Sequence, residues 1–185
     1  MDHQDHLGLL RDGISSPGGV WAEFGSGRGA FTFALAELIG PEGAIYSVDK
    51  NQGALRDQDN SFQKRFTDHQ PIIHYLNKDY VQPIALPPLN DLLMANTLHF
   101  HRHKAAILKL IHDYLVPNGC LILVEYNSDL GNTWVPYPLS FHSWRSLAEK
   151  VGFVGTRLLE RVPSSFMGEI YSAISYKKLI GIDKC

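Results

Sequence analysis

The sequence predicts an α/β domain: a doubly wound, mostly parallel seven-stranded sheet covered by helices and closed by a C-terminal antiparallel hairpin. Three observations carry that expectation. Strand-like and helix-like segments alternate along most of the chain, which argues for a parallel sheet with helices on its faces. The run "CLILVEY" (120–126) is almost unbroken aliphatic, as a strand covered on both sides requires. Near the end, "FVGTRLLERV" and "EIYSAISYKK" are joined by only "PSSFMG", a link too short for anything but antiparallel neighbours.

Each element follows from its own residues. "GVWAEF" (19–24) is short, apolar and stopped by glycine, and "GAFTFALAELIG" behind it sets Phe31, Leu35 and Leu38 at helical spacing before Gly40 and Pro41. "GAIYSVD" (43–49) is the second strand, and the polar stretch "NQGALRDQDNSFQKRF" is compatible with a helix despite Gly53. "PIIHYLN" (71–77) and "NDLLMAN" (90–96) are the third and fourth strands, separated by the proline-rich "VQPIALPPL". A helix over 102–115 gathers Ile107, Leu108, Ile111 and Leu115 on one face and closes in a Val116-Pro117-Asn118-Gly119 turn ahead of the fifth strand. Ser140 caps a helix carrying Trp144, Leu147, Ala148 and Val151, which stops at Gly152.

Composition narrows the function. At 185 residues the chain fits one domain, too short for a nucleotide domain followed by a full second one. Residues 1–18 are read as an N-terminal extension, 19–178 as the domain and 179–185 as a tail. The formal charge of −2, with acids and bases interspersed, gives no field for a phosphate backbone, so nucleic acid is not expected as a partner. No segment approaches the roughly 20 apolar residues of a membrane span, and "MDHQDHLGLLRDG" lacks the pattern of a secretory signal. Cys120 lies in an apolar run and Cys185 is the last residue, which fits a reducing, cytoplasmic setting rather than a disulfide framework.

The most informative stretch is "EFGSGRG" (23–29), in which an acid ends a strand and three glycines follow at alternate positions. A side chain on those glycines would stand between the backbone and a ligand, and glycine tolerates the positive φ of a tight turn. Asp49 ends the second strand twenty residues after Gly29, where a carboxylate can accept hydrogen bonds from both hydroxyls of a ribose. Together with the order of elements, the stretch resembles the first motif of the class I S-adenosylmethionine-dependent methyltransferases. The likeness runs from about Gly18 to Lys178.

That resemblance implies a cofactor, S-adenosylmethionine, and a set of contacts. Glu23 would help organise the cofactor's ammonium group, and Gly25, Ser26, Gly27 and Gly29 would form the turn against its amino-acid end. Asp49 and Lys50 would meet the ribose region, Asp79 of "NKDY" the adenine amino group, and Tyr80 would add a neighbouring contact. "NTLHF" falls just past the fourth strand, where ligands sit in open α/β sheets, so Asn96, Thr97, Leu98 and His99 are pocket candidates.

His99 is the candidate general base, because imidazole accepts protons near neutral pH. His99 and His103 would share a helix face with His101 between them, yet no H-E-x-x-H pattern or nearby carboxylate accompanies them, so no metal is expected; His101 and His103 read as the exposed start of a helix. Tyr126, Trp134, Tyr137, His142, Phe166 and Met167 offer amphipathic surface for the acceptor. The expected reaction is in-line methyl transfer to a small, partly apolar molecule, with alignment and exclusion of water as the protein's contribution. Only about 18 residues precede the glycine motif, so recognition must use these later loops or a partner subunit, as in a homodimer.

Two other readings stand beside it. Gly25, Gly27 and Ala30 also satisfy G-x-G-x-x-A, the signature of an NAD(P)-binding oxidoreductase module, which leaves Glu23 without a role. A non-catalytic S-adenosylmethionine-binding protein acting through a partner would show the same cofactor motifs.

Overall fold

In the computed structural model, which describes residues 1–66 and 70–178, the chain opens with helix α1 (His3–Arg11) and strand β1 (Gly19–Phe24). There follow α2 (Ala30–Ile39), β2 (Gly43–Asp49), α3 (Gln52–Arg65), β3 (Ile72–Asn77), β4 (Leu89–Ala95) and α4 (Ala105–Tyr114). The chain then forms β5 (Leu115–Tyr126), α5 (Phe141–Lys150), β6 (Phe153–Ser164) and β7 (Gly168–Lys177). The tail 179–185, with Cys185, lies outside the described residues.

The strands form one sheet of order β3-β2-β1-β4-β5-β7-β6. β3, β2, β1, β4 and β5 pair in parallel, and β7 inserts antiparallel between β5 and β6. The strand order reverses between β1 and β4, and in open α/β sheets that point places a crevice beyond the carboxyl ends of the strands. Side-chain alternation divides the core between the two faces. Ala22, Phe24, Leu92, Met94, Leu121 and Leu123 pack against α4 and α5 through Ile107, Leu108, Ile111, Trp144 and Ala148. Trp21, Ile45, Leu93, Ile122 and Val124 face α1 and α2 through Leu7, Leu9, Leu10, Phe31, Leu35 and Ile39.

The first residues are therefore more than a leader to the glycine motif. Asp2 caps α1 and exchanges hydrogen bonds with Asp5 in a capping box, at 2.9 and 3.0 Å, and the leucines behind it are buried against the sheet's partners. Ser140 caps α5 as its position predicts, its Oγ accepting from the Ser143 amide at 3.2 Å. Gly40, at φ +67°, ends α2.

Three boundaries differ from the sequence expectation. The helix expected over 102–115 begins only at Ala105, because residues 98–100 form a separate 3-10 turn. Leu115 belongs to β5, where it pairs with Leu89. Residues 116–119 bulge out before pairing resumes at Cys120 with Asp91, and Asn118 takes the left-handed φ of 65° that the bulge requires. The antiparallel link is also shorter than expected, since β6 runs to Ser164 and β7 begins at Gly168.

Candidate cofactor and acceptor site

At the carboxyl end of the sheet lies a cleft lined by Gly25, Asp49, Lys50, Asp79, Tyr80, Asn96, Thr97, Phe100 and His101. Each comes from the segment just past a parallel strand: Gly25 after β1, Asp49 and Lys50 at β2, Asp79 and Tyr80 after β3, and the rest after β4. Gly25 has φ +74°, and a Cβ there would lie 2.2 Å from Thr97 Oγ1, so a side chain would collide with the neighbouring wall of the cleft. The wall itself is pinned by Tyr80. Its ring stacks on Phe24 with centroids 5.7 Å apart, and its hydroxyl lies 2.9 Å from Thr97 Oγ1 and 2.7 Å from His101 Nε2. Burial pushes the Tyr80 phenol up to about 12.

Asp49 ties the glycine turn to the next helix. Its Oδ2 accepts from the Gly27 amide at 2.8 Å and its Oδ1 from the Asn51 amide at 2.7 Å, which leaves further lone pairs facing the cleft. Asn96 adopts φ 52°, and its buried Oδ1 has no hydrogen-bond partner among the described residues. An orphaned acceptor in a cleft wall beside carboxylates suits a ligand carrying hydroxyl, ammonium or amino donors.

Two residues expected at the cofactor turn to the protein interior. Glu23 Oε2 accepts from the Thr32 hydroxyl at 2.5 Å, and Thr32 Oγ1 accepts in turn from Gln58 Nε2 at 2.6 Å. Gln58 Oε1 lies 2.9 Å from Ser47 Oγ, and Ser26 Oγ lies 2.8 Å from the same serine, so Ser26 is committed to this buried chain through its side chain. Burial, the larger effect, raises the Glu23 carboxyl to about 8; the Thr32 hydrogen bond opposes it and the Asp49 charge adds to it. Gly29 is required at the same chain: with φ +87°, its Cβ would stand 2.5 Å from Gln58 Cγ.

A chain of ring contacts runs on from the cleft. Phe100, part of the cleft, lies 4.3 Å from His99 between ring centroids; His99 lies 5.9 Å from Tyr126, and Tyr126 5.9 Å from Phe166. His99 is buried, its Nδ1 2.8 Å from Glu125 Oε2 and its amide donating to Glu125 Oε1 at 3.0 Å. Tyr137 joins this group through its backbone, donating to the His99 carbonyl at 3.0 Å. Lys104, also buried, donates from Nζ to the carbonyls of His101 (2.6 Å) and Tyr137 (2.8 Å), and desolvation lowers its ammonium below the ordinary lysine range.

The remaining candidates are not brought into that group. Trp134 is 73% exposed in a turn held by Asn132, and His142 is exposed on α5, whose inward side chains are Trp144 and Ala148. Met167 sits in the β6–β7 link beside Phe166. The histidines also depart from expectation, since His99 and His103 share no helix face. His101 is a cleft residue bonded to Tyr80 rather than an exposed helix start. No carboxylate adjoins His99 along the chain; the fold supplies Glu125, 26 positions away in an aliphatic strand.

Sheet order, switch-point cleft and glycine turn define the class I methyltransferase fold. Solved structures bear this out: the YcgJ protein of Bacillus subtilis superposes with a TM-score of 0.77 at 9% identity, over 95% of this chain and 99% of that one. The N-methyltransferase NodS of Bradyrhizobium japonicum, solved with S-adenosyl-L-homocysteine, superposes with a TM-score of 0.72 at 19% identity, over 94% and 86%. Residues 22–126 match the methyltransferase-domain family, and the chain belongs to that family. A curated relative, carboxy-S-adenosyl-L-methionine synthase of Pseudomonas syringae, is 30% identical over 127 residues, 65% of this chain and 51% of that protein. The chain thus spans about half the length of that relative. Among the described residues, no helix is long and apolar enough to cross a membrane.

Proposed function

We propose that this domain methylates a small, partly apolar molecule by in-line transfer. S-adenosylmethionine, when bound, supplies the methyl group on a sulfonium that leaves as a thioether. Gly25, Asp49, Lys50, Asp79, Tyr80 and Asn96 are the residues we assign to hold it, with Gly27 and Gly29 shaping the turn. Ser26 and Glu23 support that turn from below through the Thr32–Gln58–Ser47 chain. The observation that carries the acceptor assignment is the unbroken run of rings from the cleft, Phe100 to His99 to Tyr126 to Phe166. Rings of this kind bind apolar surface and exclude water, and the imidazole within them can take a proton from the acceptor.

The test incubates the protein with a small-molecule extract and S-adenosylmethionine labelled in its methyl group. Label appearing in low-mass, solvent-extractable products is the expected result. Label confined to macromolecules would overturn the substrate class. A new species derived from the cofactor itself, without a methylated acceptor, would instead place the chain with the Pseudomonas relative, whose name records such a product.

A further inference from the structure

Glu125 stands at the carboxyl end of β5, fully buried, and both of its oxygens meet His99, with Oε2 also accepting from the Tyr126 amide at 3.4 Å. Oε1 accepts from the His99 amide at 3.0 Å and Oε2 lies 2.8 Å from His99 Nδ1. One contact fixes the backbone of the 3-10 turn and the other fixes the ring. An ionised carboxylate accepts hydrogen bonds and cannot donate them, so the proton of a neutral imidazole is held on Nδ1 and the lone pair on Nε2. Nε2 has no hydrogen-bond partner among the described residues, and the ring is flanked by Phe100 of the cleft and by Tyr126.

We propose that Glu125 is a positioning residue that locks His99 in the Nδ1-protonated tautomer, making Nε2 the proton acceptor of the reaction. This rests on the methyl-transfer reading above. It also narrows the acceptor's chemistry, because a base is needed only where the nucleophilic atom still carries its proton: a hydroxyl, a thiol, an ammonium, or a carbon acid next to an activating group. The acceptor atom bonds to the methyl carbon, the carbon–sulfur bond breaks with its electron pair left on sulfur, and the acceptor's proton passes to His99 Nε2. Glu125 then faces the resulting imidazolium with its negative charge.

Long-range nitrogen–proton correlation spectra of the imidazoles test the tautomer without turnover. In the wild type, His99 should show a bare Nε2. In Glu125→Gln, the amide oxygen can satisfy only one of the two donors, and its NH₂ group then faces Nδ1, so the proton should move to Nε2. The variant should also lose about 100-fold in kcat for labelled methyl transfer, the lower end of general-base contributions, while its affinity for S-adenosylmethionine stays within about threefold. A wild-type His99 with its proton on Nε2 overturns the proposal, as does a Gln variant with unchanged tautomer and kcat. The wild-type spectrum decides the tautomer on its own if the Gln variant does not fold. With a ¹³C methyl donor, product label on an atom that carried a proton in the acceptor supports the acceptor class, and label on a proton-free atom such as a thioether sulfur or a tertiary amine overturns it. Absence of S-adenosylmethionine binding by the wild type would sink the underlying function and leave the tautomer result standing.

Discussion

Replacing Glu23 with Gln should flatten the pH dependence of stability. Glu23 is 2% exposed, and its burial raises the folded-state carboxyl from 4.5 to about 8. Between those values the folded protein keeps a proton that the unfolded chain releases. The contribution is therefore fully present below pH 4.5 and is lost as pH rises toward 8. Each pH unit inside the window costs about 1.4 kcal/mol, so from pH 5 to pH 7 this residue alone should remove about 2 to 3 kcal/mol of stability. Gln keeps an acceptor for the Thr32 hydroxyl and carries no titrating proton. Urea midpoints for both proteins at pH 5, 6 and 7 give the answer, because His6 and His101, lowered by burial, titrate alike in the two and cancel in the difference. The stability difference should move by about 2 to 3 kcal/mol in the variant's favour across that range. Parallel pH profiles would mean that Glu23 titrates alike in the folded and unfolded chains.

Three further outcomes follow from the same geometry. Asp49→Asn deprives either Gly27 or Asn51 of its carboxylate partner; calorimetry should show S-adenosylmethionine binding weakened about 10- to 100-fold, with about 1 kcal/mol lost in urea unfolding. Gly25→Ala puts a Cβ 2.2 Å from Thr97 Oγ1 at φ +74°, which should cost about 1 to 3 kcal/mol and lower both Tm and cofactor affinity, measured by thermal melts with and without ligand. Lys104→Met strips the carbonyls of His101 and Tyr137 of their donor; a loss of about 1 to 3 kcal/mol and faster limited proteolysis within residues 127–140 should follow.

What the sequence made legible was local. β1 and β2 begin and end where their apolar runs and flanking glycines place them, and Ser140 caps α5, because each signal lies within a few residues of its effect. Helix α1 went unread although Asp2 and Asp5 form its capping box, since Leu7, Leu9 and Leu10 are too few for a periodic pattern. β5 began later in the sequence reading than in the fold because Pro117, Asn118 and Gly119 have the chemistry of a turn, and here they make a bulge. In the cleft, the glycines, Asp49, Asp79, Tyr80 and Asn96 were legible as strand-end residues. The His99–Glu125 pair was not, because only the pairing of β4 with β5 brings those positions together, and a lone Glu in an aliphatic strand gives no sign of its partner. The inward turn of Glu23 and Ser26 was equally invisible, since it depends on Gln58 reaching across from α3.

The cleft at Gly25, Asp49, Tyr80 and Asn96 is the site we assign to S-adenosylmethionine. Calorimetric titration of the wild-type protein with S-adenosylmethionine, and in parallel with NAD, tests it directly. One saturable site for S-adenosylmethionine and no heat of binding with NAD are expected; saturable binding of NAD with none of S-adenosylmethionine would assign the cleft to a dinucleotide instead.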